Sequence, residues 1–191
     1  MHTATPSDLR WTVVPEGELG LPDHEAIAGM LAQVHPDDDH WFIGARSWSG
    51  MQPERRILAT TEDDVVVAHL GIRRLFVTVG GRDLLVGAVG LVGVAPRWQG
   101  NGIGRELLRR AADELAALRV PFGLLGTGED RIPFYGAAGW RLLDTVSTSS
   151  SSSSEGVGLT IVDDEGWLAL PVAAPFEDWP AGDLHWNAQQ V

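Results

Sequence analysis

An α+β fold on a single mixed central sheet flanked by helices is the architecture this sequence predicts, and three observations predict it. Strand-length apolar runs and amphipathic helical stretches follow one another in the order βα–βββ–α–β–α–ββ. One long strand-like run, Arg82 to Ala95, carries Gly87, Gly90 and Gly93 in its interior, the mark of a bulge or of another backbone approaching closely. That run empties into a glycine-rich turn, Val94-Ala95-Pro96-Arg97-Trp98-Gln99-Gly100-Asn101-Gly102-Ile103-Gly104, which feeds an amphipathic helix. The 191 residues suit one domain over residues 1–191, with no internal repeat.

The elements follow in order. Leu9 to Val14 reads as a first strand. Pro22 to Val34 reads as a helix, with proline near its start, Asp23 and Glu25 in the first turn, and Ile27, Leu31 and Val34 as its apolar stripe. His35 to Gly50 is a long polar and aromatic segment, and loops of that length in compact domains are usually functional. Arg56 to Thr60 and Val65 to Val79 read as strands, and Gly80-Gly81 marks a hairpin into the glycine-bearing strand. After the turn, Leu107, Leu108, Ala111, Leu115 and Leu118 give a helix from about Gly102 to Leu118. Pro121 to Thr127 is a buried strand, Tyr135 sits in a short helix, and Trp140 to Thr148 follows. The serine run Ser149 to Ser154 reads as a mobile loop. Gly158 to Val162 and Trp167 to Leu170 read as a final hairpin around Asp163-Asp164-Glu165-Gly166, and the tail to Val191 as irregular.

Composition narrows the chemistry. Without cysteine the chain has no disulfide, thiolate metal site or cysteine acyl intermediate, and without lysine it has no Schiff-base chemistry. No His/Asp/Glu spacing has metal-site character. A net charge of −12 argues against nucleic acid, whose phosphates need a basic face. It suits a cationic partner, although acidity also serves solubility alone. No apolar run is long enough to span a membrane, and Met1 to Pro6 has no signal-peptide character, so the expectation is a cytoplasmic protein.

The glycine turn is an anion site by construction. Glycines let successive N–H groups face one point, and the helix dipole adds positive potential there. It is neither a P-loop nor a Rossmann fingerprint, because the spacing is G-x-G-x-G with no Gly-Lys-Ser/Thr. Arg97, Gly100 and Gly102 resemble the Arg/Gln-x-x-Gly-x-Gly turn of the GNAT acyltransferases, the alternative being an ordinary strand-to-helix loop. About thirty residues downstream, Phe134-Tyr135 and Gly139-Trp140 resemble that family's second signature, and Tyr135 is the chain's single tyrosine. The resemblance implies the GNAT fold, with a bulged, splayed strand before the coenzyme-binding helix. It implies acetyl-CoA as co-substrate, bound at Val92, Val94, Arg97, Gln99, Gly100, Asn101, Gly102, Ile103 and Gly104, no metal, and Tyr135 as the acid that protonates the departing thiolate.

Two narrower families resemble more of the chain. Rhizobial NodA acyltransferases are similar through Asp23-His24, Gly44 to Gly50, Pro53-Glu54, Val67 to Ile72, Asp83 to Val86, Gly90 to Val94, Val120 to Gly123 and Trp179 to Gly182. Members move a long acyl chain onto the free amine of a chitin oligosaccharide. The present turn is intact where theirs is degenerate, which favours acyl-CoA over an acyl carrier protein. The aminoglycoside 2′-N-acetyltransferases are similar at Arg73-Arg74-Leu75, Tyr135 to Trp140, Asp163 to Gly166 and Asp178 to Asp183. Gly90 stands where that family has a glutamate, and the chain continues to Asn187 and beyond.

Both families acylate an amine on a sugar. With the acidic charge, the expectation is N-acetylation of a cationic aminosugar or aminoglycoside, of the kasugamycin type or at a 2′-amine, by direct attack. NodA-like transfer of a longer acyl chain to a chito-oligosaccharide amine is the alternative, and a non-catalytic GNAT-fold binding module the second. Asp37, Asp38, Asp39, Asp164 and Asp183 are the candidate ammonium ligands, against a solvated face. Trp48 is a candidate sugar-stacking ring, against a core cover. His69 is a candidate base, against a structural histidine with its hydrogen bonds satisfied. The partner is a small molecule, with no membrane and no nucleic acid, and a homodimer stays open.

Overall fold

A computed structural model describes residues 5–50, 52–152, 158–163 and 166–186. The chain divides into two compact units, Met1–Arg73 with Val89–Ala111 and Val191, and Arg74–Ala88 with Ala112–Gln190.

In the first unit β1 (Arg10–Pro15) pairs antiparallel with β2 (Arg55–Thr60), and β2 pairs antiparallel with β3 (Val66–Val79) from Arg55↔Ile72 to Thr60↔Val66. Helix α1 (Leu21–Val34) starts where the Gly20 N–H donates to Asp23 Oδ2 at 2.8 Å, a side-chain cap for an otherwise orphaned amide. It buries Ile27, Ala28, Met30 and Leu31 in a cluster with Phe42, Leu58 and Ala95. The long segment after α1 begins with a 3-10 turn, Pro36–Trp41, and its Phe42 is buried.

Strand β4 (Arg82–Val94) returns from the Gly80-Gly81 turn and contributes to both units, as do β3 and helix α2 (Ile103–Ala117). Two of its glycines make room for helix side chains. A Cβ on Gly93 would lie 3.0 Å from Val34 Cγ1, and one on Gly87 would lie 2.2 Å from Leu115 Cδ2. Helix α2 buries Leu107, Leu108, Ala111 and Leu115 of the expected stripe together with Ile103, and Leu118, the stripe's last member, is buried just past the helix end.

In the second unit β5 (Phe122–Thr127) pairs in parallel with β4 from Val86↔Phe122 to Ala88↔Leu124. Both strands run on past that register. Strand β9 (Gly166–Pro171) pairs antiparallel with β5, and β6 (Arg141–Leu142) with β9. The short helix α3 (Ile132–Gly136) carries Tyr135.

Three expectations fail here. The serine run is not a loop: Ser147–Ser152 forms β7, antiparallel to β8 (Gly158–Asp163). Ser153 and Ser154 lie outside the described residues. β8 and β9 are not a hairpin, because β8 pairs with β7 while β9 pairs with β5. Nor are the described residues of the tail irregular throughout. Leu184–Trp186 forms β10, antiparallel to β3 and parallel to β7, anchored by buried Leu184 and Trp186. Serines supply no apolar alternation, so β7 is held by its neighbours' backbone groups rather than by a hydrophobic face. The sheet order is β6-β9-β5-β4-β3-β10-β7-β8, with β1 and β2 joined through β3, so the sheet is mixed as expected. No helix among the described residues is long and apolar enough to cross a membrane.

Candidate active site

The turn of the first unit is built to expose amides. A 3-10 turn, Pro96–Trp98, follows β4, and then Gly100 and Gly102 take φ of +78° and +79°. Only glycine adopts such angles without steric cost. Nothing lies within 4 Å of a Cβ placed on Gly100, so the turn faces open space there. The first helical bond of α2 runs from the Glu106 N–H to the Gly102 carbonyl at 3.1 Å. The amides of Ile103, Gly104 and Arg105 therefore precede the helical ladder and have no acceptor within it. Trp98 Nε1 is likewise buried without an acceptor. Converging donors at the positive end of a 15-residue helix fit a phosphoryl ligand.

Side chains in the turn divide by role. Gln99 Nε2 donates to the Val94 carbonyl at 2.9 Å, and Asn101 Nδ2 donates to the Trp98 and Gln99 carbonyls at 3.2 Å each. Both amides therefore brace the turn. Arg97 is exposed, its guanidinium 5.8 Å from the Trp98 ring. The Ile103 side chain is buried, so its amide is what it presents. Val92 and Val94 are half-buried on β4.

Beside this strand lies a buried polar chain. Arg56 is fully buried and donates through Nε and Nη2 to Glu16 at 2.6 and 2.9 Å, and through Nη1 to the Ser47 carbonyl at 2.7 Å. Its Nη1 also lies 3.0 Å from His69 Nε2, and His69 Nδ1 lies 2.8 Å from the Leu91 carbonyl. Arginine only donates and a carbonyl only accepts, which settles the tautomer: His69 carries its proton on Nδ1. Burial, then the Arg56 charge, pushes its pKa down to about 3. Both ring nitrogens are occupied and the ring is neutral, so the structural reading of His69 holds and a base role does not fit. Glu16 is also lowered: burial alone would raise it, and hydrogen bonds from Arg56 and Gln52 outweigh that. The Leu91 end of the chain is unusual, because Leu91 has φ +52° inside β4. For a bulky residue this is a genuine outlier.

Of the acceptor candidates, Asp37, Asp38 and Asp39 are exposed in the 3-10 turn of the first unit. Trp48 is half-buried, with Arg56 over one face at 5.8 Å and the His24 ring edge-on at 5.5 Å, which suits a core cover. Asp183 is exposed in the second unit, where its carbonyl accepts from the Gly80 N–H. Asp164 lies outside the described residues. Among the described residues no cluster of His, Asp or Glu could hold a metal.

In the second unit Tyr135 is 8% exposed, packed edge-on against Phe134 and Trp140 with ring centroids 5.1 and 6.3 Å away. Burial pushes its phenol up to about 12, so it is protonated at neutral pH. Gly139 ends the segment at φ +90°. Sequence reasoning missed the Glu16–Arg56–His69–Leu91 chain. The available signal was an arginine and a histidine in apolar strands, where an uncompensated charge would be costly.

The solved structures that resemble this chain share its fold at low identity. One is a GNAT-family N-acetyltransferase of Escherichia coli in complex with CoA, at TM-score 0.61 and 16% identity over 98% of this chain and 94% of that one. Another is a GNAT-family acetyltransferase of Brucella melitensis in complex with acetyl-CoA, at TM-score 0.59 and 17% identity over 94% and 97%. The fold is thus the GNAT fold. Sequence relatives are nearer. Nodulation protein A of Rhizobium tropici is 33% identical over 93% of this chain and 95% of its own length, and that of Sinorhizobium terangae 34% over 91% and 93%. The family model for Nodulation protein A matches residues 6–189. From end to end of that match, the chain belongs to the Nodulation protein A (NodA) family.

Proposed function

We propose that the protein is an acyl-CoA-dependent N-acyltransferase whose acceptor is the free amine of a chito-oligosaccharide. The observation that carries the reading is the turn at Gly100 and Gly102. It supplies a phosphate cradle at the head of α2 in a chain of NodA ancestry. The aminoglycoside reading yields to this one, because family membership covers residues 6–189 and favours the chitin amine. The intact turn supports a coenzyme A thioester as donor rather than a carrier-protein thioester. Acetyl and longer chains are both compatible with it.

The residues divide the work as follows. Backbone amides of Ile103 and Gly104, with Arg97, hold the pyrophosphate, while Gln99 and Asn101 keep the turn in shape. Amides of Val92 and Val94 hold the donor arm along β4. The neutral amine attacks the thioester carbonyl, a C–N bond forms and the C–S bond breaks. The thiolate takes the phenolic proton of Tyr135, and water removes the proton from the nitrogen. Asp37, Asp38 and Asp39 attract the ammonium form of the acceptor.

The test is mass spectrometry of products formed from acetyl-, octanoyl- and palmitoyl-CoA. One arm offers N-deacetylated chito-oligosaccharide, the other an aminoglycoside panel. Acylated chito-oligosaccharide supports the reading. Acetylated aminoglycoside with an untouched chito-oligosaccharide restores the other one.

A further inference from the structure

We propose that His69 is a positioning residue for acyl transfer: its Nδ1–H clamps the Leu91 carbonyl and so aims the Val92 N–H at the donor's thioester carbonyl. The inference rests on the N-acyltransferase reading above.

The argument begins with the peptide between Leu91 and Val92. No cis peptide occurs among the described residues, so its C=O and N–H point in opposite directions. The carbonyl points at His69, which is wholly buried on β3. The Val92 N–H therefore points away from that buried ring, and Val92 itself is only half-buried. In an ordinary ladder the Leu91 carbonyl would accept from a neighbouring strand's backbone. Here an imidazole N–H donates to it, at 2.8 Å.

The conformation is held against a cost. A leucine at φ +52° lies in the left-handed region, where its Cβ crowds the following carbonyl oxygen. Strain of this kind persists only where surrounding structure over-determines it, and it gathers at functional sites. The over-determining structure is visible: His69 is itself fixed by Arg56, and Arg56 by Glu16 and the Ser47 carbonyl. A carbonyl that accepts a hydrogen bond also polarises its own peptide, which makes the Val92 N–H a better donor. About ten residues beyond Val92 the chain, past the end of β4 and the 3-10 turn, reaches Gly102, so the aimed amide and the phosphate cradle belong to one segment of the first unit. Preorganised donors of this kind stabilise the oxyanion that forms when an amine adds to a thioester.

Two substitutions separate clamping from mere core filling. In His69→Asn the side-chain amide nitrogen occupies the place of Nδ1 and still donates to Leu91, while the contact with Arg56 is lost. In His69→Gln the side chain reaches the place of Nε2 and still meets Arg56, while Leu91 is released. With acetyl-CoA and N-deacetylated chito-oligosaccharide, His69→Asn is expected to keep kcat within about threefold. His69→Gln is expected to lose about 10–100-fold in kcat with the KM for acetyl-CoA within about threefold, a loss below that of deleting an oxyanion donor outright. Thermal midpoints of both variants report the structural contribution, which does not follow that split.

A second readout needs neither turnover nor a variant. In the 15N-labelled wild-type chain, acetyl-CoA alone is expected to shift the Val92 amide and the His69 Nδ1 proton together. An unmoved Val92 amide overturns the inference, as do equal kcat losses in the two variants. A wild-type protein that transfers no acyl group to any amine removes the functional reading instead, and the paired NMR shifts still decide the clamp.

Discussion

Arg56 and Glu16 form a two-pronged ion pair, 2.6 and 2.9 Å, in which the guanidinium is fully buried and the carboxylate side chain is 10% exposed. A buried ion pair is weak evidence of net stability, but removing one partner leaves the other charged and stranded. Arg56→Leu strands Glu16 and also takes a donor from the Ser47 carbonyl and from His69. The expected loss is about 3–5 kcal/mol of unfolding free energy, read from urea denaturation. A change under about 1 kcal/mol would show that the network relaxes freely.

The same network sets an acid limit. His69 titrates near 3 in the folded chain against an ordinary value of 6.5, so the unfolded chain binds more protons between those values. The contribution is therefore complete above pH 6.5 and is lost as pH falls towards 3, at up to about 1.4 kcal/mol per pH unit. The groups acting on the ring are Arg56, Glu16 and His35. Glu16, whose value is lowered, adds to the loss at the acid end of the window. Unfolding free energy measured against pH is expected to fall across this range in the wild type. It is expected to fall much less in His69→Asn.

Gly102 tests the phosphate cradle. A Cβ there would meet only Pro6 Cγ at 3.9 Å, so space is not the constraint; φ of +79° is. Gly102→Val is disfavoured in that conformation and tilts the amides that open α2. The expectation is at least a tenfold loss of CoA affinity by calorimetry with the far-UV spectrum unchanged. Gly17, at which an added Cβ meets nothing within 4 Å, supplies the control: Gly17→Ala is expected to bind CoA as the wild type does.

Asp37, Asp38 and Asp39 are exposed, which bounds what each contributes. A single solvated carboxylate facing one ammonium is worth about 0–1 kcal/mol and is screened by salt. Replacing all three by asparagine is expected to raise acceptor KM no more than about fivefold at low salt, and the difference is expected to vanish near 0.5 M salt, beyond the range of surface electrostatics. Affinity for acetyl-CoA is expected to stay unchanged.

What the sequence made legible follows from where the signal is local. The turn at Gly100 and Gly102 and the Leu107–Leu115 stripe are written in consecutive residues, and both appear as expected. β7 was illegible because Ser147–Ser152 has no apolar period; its pairing is decided by β8, the next strand, and by β10, which is distant in the chain. β10 was illegible because three residues are too few to show alternation. The His69–Leu91 contact joins residues on two strands and depends on a left-handed leucine, which no propensity announces. Membership of the NodA family was legible as scattered strings from Asp23 to Gly182. A net charge of −12 attracts cations in general and says little about which amine is bound.

Tyr135 carries the last prediction. Its phenol is raised to about 12 chiefly by burial, with Arg131 pulling the other way. Two consequences separate an acid from a packing ring. Tyr135→Phe keeps the aromatic contacts with Phe134 and Trp140 and removes only the hydroxyl, so the fold and the affinity for acetyl-CoA are expected to persist. If the hydroxyl protonates the thiolate, kcat falls by about 10²–10⁴-fold with little change in KM. The pH profile gives the second reading. A phenol that ionises near 12 stays protonated through the assay range, so Tyr135 is expected to impose no fall in kcat below about pH 10. Activity should instead rise with pH as the acceptor ammonium loses its proton, because only the neutral amine attacks. An unchanged kcat in Tyr135→Phe, measured where acyl transfer limits turnover, would leave the hydroxyl without a chemical role. A wild-type kcat that falls steeply between pH 8 and 9 would point to an acid other than Tyr135.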